Sequence, residues 1–538
     1  MKPERPYQPA RIVAWAERTS MTASPSAGNL AALIGVCLAS LMFGLEISSV
    51  PVILPTLETA LPAGFKDLQW IMNAYTIACT TVLMATGTFA DRYGRKLVFI
   101  VTTIAFGLTS LACGLAQSAA VLIVARFLQG LAGGAMLTCS IAIISHQYQD
   151  EKQRGRAFTS WGVISGIGLG FGPIIGSTIA AVASWHWVFL IHVPLTLIAL
   201  IPACAGIRES RDPHARQLDG WGIVTLTVAV FGLTYLITQG AELDRITTLG
   251  LTAITLASFV VFVVVERNIA QPMFDFSVFR IRKFSGAIIG CIGMNFCYWP
   301  FMIYLPIYFA GGLGLDSKAA GFLLLAYTIP FLVMPPIADH LLRRYGARTV
   351  IPLGMATMGT GFIAMRLGSG IDHASWLTVL PGSLLSGIGL GLTNTSVTNT
   401  TTGSVPSNRA GMASGIDISA RLIALAINIA VMGLILLEGI RWFLPETFSG
   451  ALDGQQLRAL ASTIATGNLG SLQHTYPMLS AYDPSGAAVH TALVKGFGWV
   501  MLYGGIGAWI LAVLSFLIFG SEKAAAGQRL THAIDTAE

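Results

Sequence analysis

Residues 87–96 read Gly87-Thr-Phe-Ala-Asp91-Arg92-Tyr-Gly94-Arg95-Lys96. They lie between two long apolar segments, Gln69–Ala90 and Leu97–Ala116. A bilayer-spanning helix needs about 20 apolar residues, so each segment is long enough to cross and the joining loop is only a few residues long. Gly87 lets two helices approach closely, and Gly94 allows a tight turn that a β-carbon would oppose. Asp91 is placed to accept backbone N–H groups at the start of the following helix. Arg92, Arg95 and Lys96 hold the loop on the cytoplasmic side.

The rest of the chain agrees with this reading. Of its 538 residues, 54% are hydrophobic and 11% charged, and the mean hydropathy is +0.69. Soluble domains carry roughly 25% charged residues. In lipid every backbone polar group must be paired internally, which leaves helix bundles or closed barrels, and segments this long and uniformly apolar are helices. The formal net charge of +6 reflects loop lysines and arginines and points to no nucleic-acid partner. The seven cysteines lie within apolar segments without metal-ligand spacing and read as small packing residues.

About fourteen spans are expected, at residues 29–54, 69–90, 97–116, 119–145, 157–181, 185–206, 221–239, 248–266, 284–310, 319–338, 349–366, 376–400, 410–438 and 494–520. With a cytoplasmic N-terminus the inside loops hold Arg92, Arg95, Lys96, Lys152, Arg154, Arg156, Arg208, Arg211, Arg216, Arg267, Arg280, Arg282, Lys283, Arg343, Arg344, Arg348 and Arg409. The outside loops hold only Lys66, Arg245, Lys318, Arg366, Arg441, Arg458 and Lys495. An even number of spans puts both termini on one side, and that asymmetry makes it the cytoplasm; the inner (cytoplasmic) membrane is the expected location. A looser echo of the first loop occurs at Asp339-His-Leu-Leu-Arg343-Arg344-Tyr-Gly346-Ala-Arg348, as in an internally repeated transporter. The expected organisation is a tail at 1–28, a six-helix bundle at 29–206, a linker with two extra helices at 207–282, a second bundle at 283–520 with an external loop at 441–493, and a tail at 521–538.

Two charges stand inside spans. Glu46, in Leu45-Glu46-Ile-Ser48-Ser-Val-Pro51, lies roughly 12 Å from the external face, and Arg126 in the fourth span lies roughly 10 Å from the same face at 1.5 Å per residue. Ionisable groups at such depth are costly and mark functional sites. Burial opposes charge on Glu46 and the arginine favours it, which suits a group that takes up and releases a proton. A static ion pair that only orients helices is the alternative. Asp417 and Arg421 form an i,i+4 pair, either a second titrating site or a self-neutralised pair near the cytoplasmic end. Asn73, Tyr75, Asn295, Tyr298, Trp299 and Asn394 are candidates for lining a substrate pocket. His192 reads as a hydrogen-bonded helix residue rather than a ligand. No phosphate-binding Gly-x4-Gly-Lys-Ser/Thr loop is present, so ATP is not the expected energy source and no cofactor is expected.

The fifth span contains Gly162-x3-Gly166-Ile-Gly168-Leu-Gly170-Phe-Gly172-Pro173-Ile-Ile-Gly176. Its Gly168-x3-Gly172-Pro173-x2-Gly176 spacing resembles the antiporter motif of the major facilitator superfamily, and residues 87–96 resemble that superfamily's loop signature. Together with Trp70-Ile-Met-Asn-Ala-Tyr75, Trp185-His-Trp-Val-Phe-Leu-Ile-His192-Val-Pro194 and Pro272-Met-Phe-Asp275, they resemble the fourteen-helix drug:proton antiporter branch over residues 29–520. The resemblance implies two six-helix bundles around a central cavity with alternating access. It implies that Glu46 carries the proton, that Arg126 modulates it, and that Gly87, Asp91, Arg92, Gly94 and Arg95 latch the halves. Glu46 stands where the family usually has aspartate, Ser48 for threonine, Pro51 for asparagine, His186 for arginine, His192 for asparagine and Ser177 for glycine. Export of small amphiphilic compounds in exchange for protons is the expected function, with a symporter or facilitator for a metabolite as the alternative. A membrane-embedded enzyme would need a cluster of His, Cys and carboxylates near one face, and none is found. The expected partners are a small-molecule substrate, protons and the lipid bilayer. A periplasmic adaptor stays open where the host has two membranes.

Overall fold

The computed structural model describes residues 27–211, 219–240, 243–269, 276–371, 374–405, 410–444 and 452–467, and from there to 520 with short gaps. Among them the extended elements are all helices. The first bundle comprises α1 (Ala27–Ala60), α2 (Phe65–Tyr93), α3 (Arg95–Gly114), α4 (Ala119–Gln147), α5 (Glu151–Val182), and a sixth span broken at Ile191 into α6 (His186–Leu190) and α7 (His192–Gly206). The inserted hairpin is α8 (Gly220–Gln239) and α9 (Arg245–Asn268). The second bundle comprises α10 (Arg282–Phe296), α11 (Tyr298–Ile307), α12 (Ser317–Val333), α13 (Pro335–Tyr345), α14 (Ala347–Ser369), α15 (Trp376–Gly403), α16 (Ala410–Phe443), α17 (Gly454–Ala465) and α18 (Ala487–Phe519).

Among the described residues twelve helical stretches are long and apolar enough to cross a membrane, with α6–α7 and α10–α11 each counted as one. The pair α12–α13, bent by 45°, raises the number to thirteen. Its bend falls at Met334 before Pro335 and Pro336, where a proline ring opposes continuation of the helix. The remaining expected span is α2, 29 residues long but interrupted by Gln69, Asn73 and a run of threonines.

The core divides unevenly. Its largest cluster fills the second bundle and crosses into the first at the end near Gly64, through Val50, Ile53, Leu54, Leu57, Phe65 and Leu68. Gln69 Nε2 donates to Tyr304 Oη at 2.8 Å there, and that hydroxyl donates to the Ile429 carbonyl at 2.5 Å. Near Gly94, separate clusters serve the first bundle (Phe99, Phe106, Met136, Ile143) and the second (Phe284, Ile288, Ile416). The halves are therefore sealed to each other at the Gly64 end. The α8–α9 hairpin lies over the seam between α2 and α16, where Leu226, Val230 and Phe262 pack on Ile77 and Ala426. Its Leu249, Leu256, Phe259 and Val260 are exposed, as lipid-facing side chains are.

The stretch 441–493 differs from the loop expected there. An Asp453–Gln456 capping box starts α17, whose Leu460, Ala461 and Ile464 are buried in the core that seals the Gly64 end. Helix α18 starts at Ala487, several residues earlier than expected, with Asp483 accepting from Val489 N at 2.9 Å.

Candidate functional site

Helix α1 buries Glu46 one turn before Pro51, and α4 buries Arg126; both side chains are 0% exposed. They meet: Arg126 Nη1 donates to Glu46 Oε1. The same nitrogen donates to Gln129 Oε1 at 2.8 Å, and Nε donates to the Ile71 carbonyl at 3.1 Å. Gln129 in turn donates to Ser110 Oγ at 2.8 Å. Arg126 Nη2 has no hydrogen-bond partner; the guanidinium instead lies over the Tyr75 ring, 4.3 Å from its centroid. Buried ions persist only when paired and hydrogen-bonded, and here four helices supply the partners. His192, at the start of α7, adds a contact that sequence spacing does not foretell: its Nδ1 lies 3.3 Å from Glu46 Oε2, out of line for a hydrogen bond.

Beside Tyr75 a small cavity of about 20 Å³ lies between the halves. Ile47, Pro51, Met72, Tyr75 and Thr76 line it from the first bundle, and Trp299, Met302, Ile303, Leu422 and Leu425 from the second. The wall is almost wholly apolar. Thr76 bonds back to the Met72 carbonyl, while the Tyr75 hydroxyl has no partner. Of the six expected pocket residues, Tyr75 and Trp299 lie here. Tyr298 instead stacks on Tyr327 at 4.0 Å, each hydroxyl donating to the other's carbonyl. Asn295 donates to Cys291 O on its own helix, and Asn394 accepts from Arg421. Asn73 is buried, and neither amide atom has a hydrogen-bond partner.

The glycines of α5 sort onto two faces. Gly168, Gly172 and Gly176 face α1, where a Cβ on Gly172 would fall 1.8 Å from Ser48 Oγ and one on Gly168 2.7 Å from the Leu41 carbonyl. Ser48 Oγ bridges the helices by donating to Gly168 O at 3.0 Å. On the other face Gly170 meets Leu332 and its carbonyl accepts from Thr328 of α12 at 2.8 Å. There too the Pro173 carbonyl and Ser177 lie against Gly321. Helix α5 thus joins the site-bearing helix of one half to a helix of the other.

These features can be set against known proteins. The family model described as Major Facilitator Superfamily matches residues 36–428. The chain belongs to the Major Facilitator Superfamily. That superfamily is one of transporters, not enzymes, and the chain is a multi-pass membrane protein of it. It is 30% identical over 410 residues, 76% of each chain, to the multidrug resistance protein Stp of Mycobacterium tuberculosis (strain CDC 1551 / Oshkosh). It is 26% identical over 499 residues, 91% of each chain, to the tetracenomycin C resistance and export protein of Streptomyces glaucescens. Its fold matches a bacterial homologue of the human lysosomal transporter Spinster, solved in an inward-facing, unoccupied conformation, with a TM-score of 0.64 at 15% identity over 92% and 98% of the two chains. The drug-efflux members of the superfamily are its kin.

In this superfamily member the loop at Gly94 is held by contacts from a distant segment. Gly94 has φ = 117° and sits between α2 and α3, and Gly346 has φ = 75° at the matching break between α13 and α14. Both conformations disfavour a side chain. The surroundings of Gly87 and the side chain of Asp91 lie outside what the structure describes. The first free N–H groups of α3 are taken by the segment after α7: Lys96 N and Leu97 N donate to the two oxygens of Glu209, at 3.1 and 3.2 Å, and Arg95 N donates to Ser210 O. Glu209 therefore caps α3. Arg92 is exposed and Arg95 half-buried. The Asp417–Arg421 pair closes at 3.0 Å, and Arg421 also donates to Thr398 Oγ1 at 3.0 Å. It lies on α16 in the second half, apart from the Glu46 cluster.

Proposed function

We propose that this chain exports small amphiphilic organic compounds in exchange for protons, with Glu46 carrying the proton and Arg126 modulating it. The reading is carried by one observation: a fully buried Glu46–Arg126 pair separated by one ring, Tyr75, from a cavity lined by both halves. A titrating carboxylate next to the substrate space lets occupation by a proton and by a ligand oppose each other. The apolar wall suits neutral or singly charged amphiphiles, because it offers a dication no second carboxylate. The seal at the Gly64 end, with separate cores at the Gly94 end, fits a carrier resting with its cavity toward the cytoplasm, given the lysine and arginine distribution of the loops. Likeness to relatives named for drug resistance and export supports the outward direction. Proton influx down about 100 mV supplies about 2.3 kcal/mol per charge, enough for roughly a fifty-fold substrate gradient.

The test is transport of a fluorescent amphiphile panel in proteoliposomes under an imposed pH gradient. Glu46→Gln is expected to fold, to bind substrate, and to lose gradient-driven uphill export, while Glu46→Asp retains part of it. Full uphill export by the Gln variant refutes the proton role. Substrate moving in the same direction as the proton favours the symporter reading.

A further inference from the structure

Beside Glu46, His192 sits in a setting made only of acceptors. Its Nε2 is 3.2 Å from the Met42 carbonyl of α1, and its Nδ1 is 3.2 Å from the Phe189 carbonyl, both in hydrogen-bonding geometry. Nδ1 is also 3.3 Å from Glu46 Oε2, and the imidazole is 1% exposed. A neutral imidazole has one donor and one acceptor nitrogen. Here the acceptor nitrogen would turn its lone pair onto a carbonyl oxygen, next to a carboxylate. Only the doubly protonated ring donates to both carbonyls. Of the remaining neighbours, α3 presents the ring of Phe106 edge-on at 5.6 Å, α4 presents Arg126, a second cation on the other oxygen of Glu46, and α2 presents Tyr75 and Cys79 close to Arg126. One carboxylate thus lies between two nitrogen bases, one of which, unlike arginine, readily gives up its proton.

We propose that His192 is a second proton-binding residue of this carrier, held as an imidazolium between Met42 O and Phe189 O with Glu46 as its counter-ion. The proposal rests on the reading of Glu46 as the proton-coupling carboxylate and extends it: the site holds up to two exchangeable protons, one on each residue. Losing the ring proton turns a lone pair against a carbonyl oxygen and so loosens the hold of α7 on α1. Protonation at His192 is thereby tied to the packing of the helix that carries Glu46.

The experiment is 15N NMR of the full-length protein, labelled at histidine and reconstituted in lipid nanodiscs, titrated from pH 5 to 9. One histidine is expected to be doubly protonated at pH 7 and to be identified by its absence from His192→Asn. In Glu46→Gln, where the counter-ion is gone, the doubly protonated signal is expected to be lost at pH 7, while Glu46→Asp keeps it. A His192 ring with one bare nitrogen throughout this range overturns the proposal, as does a titration that Glu46→Gln leaves in place. Glu46→Gln separates the two readings. Full gradient-driven export by that variant sinks the coupling role of Glu46. Lost export with an untitrating His192 sinks only the present inference. The wild-type spectrum stands by itself if a variant fails to fold.

Discussion

Substituting Gly172 by alanine tests the tightest point of the α1–α5 contact. The added Cβ would lie 1.8 Å from Ser48 Oγ, 3.0 Å from Ser48 Cβ and 3.3 Å from Ser49 N. The hydroxyl must leave its place, which breaks the 3.0 Å bond to Gly168 O that ties the two helices. Such a bond contributes about 1 kcal/mol. Overpacking a close interface costs about 1–3 kcal/mol. Gly172→Ala should therefore destabilise the protein by roughly 2–4 kcal/mol. Ser48→Ala removes the colliding oxygen in advance, leaving the 3.0 Å contact between β-carbons. The double variant should then be less destabilised than the sum of the singles by about 1 kcal/mol or more, the coupling expected of residues in contact. Thermal unfolding in detergent, followed by tryptophan fluorescence, gives the stabilities, and export by the same preparations in proteoliposomes gives function. Ser48 is two residues from Glu46, so α1 displaced from α5 should also lower export. Wild-type stability in Gly172→Ala, or strict additivity in the double variant, refutes the packing argument.

Two further outcomes follow from other contacts. Glu209→Ala frees Lys96 N and Leu97 N at the start of α3; it should cost about 1 kcal/mol in thermal unfolding and slow turnover while leaving substrate affinity in place, whereas an affinity loss with normal turnover would assign Glu209 to binding. Tyr304→Phe removes the hydroxyl that joins Gln69 to Ile429 O and leaves Gln69 Nε2 only its longer direct bond to that carbonyl, 3.4 Å; spin-label distances across the Gly64 end should show the open population rising by roughly five-fold for about 1 kcal/mol, and an unchanged distribution would remove this contact from the seal.

Hydropathy and loop charge make the helices of this fold legible because lipid imposes length and apolarity on each of them. The same logic brought Glu46 and Arg126 to one depth, and they meet. Contacts set by distant chain segments were not legible. Glu209 is 113 residues from Lys96, and no local pattern links them. Asn295 and Tyr298 turn away from the cavity that Trp299 lines for a local reason: the helix breaks at Cys297, with φ = −122° and ψ = −59°, so the phase of a straight helix does not carry past it. The Asp453–Gln456 box was within reach of the sequence, as an acid followed three residues later by glutamine. The glycine-, serine- and threonine-rich surroundings obscured it.

The arrangement also bears on how a proton and a substrate come to influence each other. Glu46, Arg126 and His192 belong to one half, whereas the cavity is lined by both. Tyr75 belongs to both sites: one face of its ring supports the guanidinium, and the residue lines the cavity. A ring over a desolvated cation contributes about 2 kcal/mol. A ligand that tilts Tyr75 away from Arg126 therefore weakens one of the few stabilising contacts of a buried cation. Arg126 must then lean more heavily on the carboxylate, and in the proposed exchange this is how ligand entry reaches Glu46. In this scheme exchange needs no shared binding atom. Adjacency through one ring, with α5 gripping α1 on one face and α12 on the other, brings the Glu46–Arg126 pair, the cavity and the seam between the halves into mechanical contact.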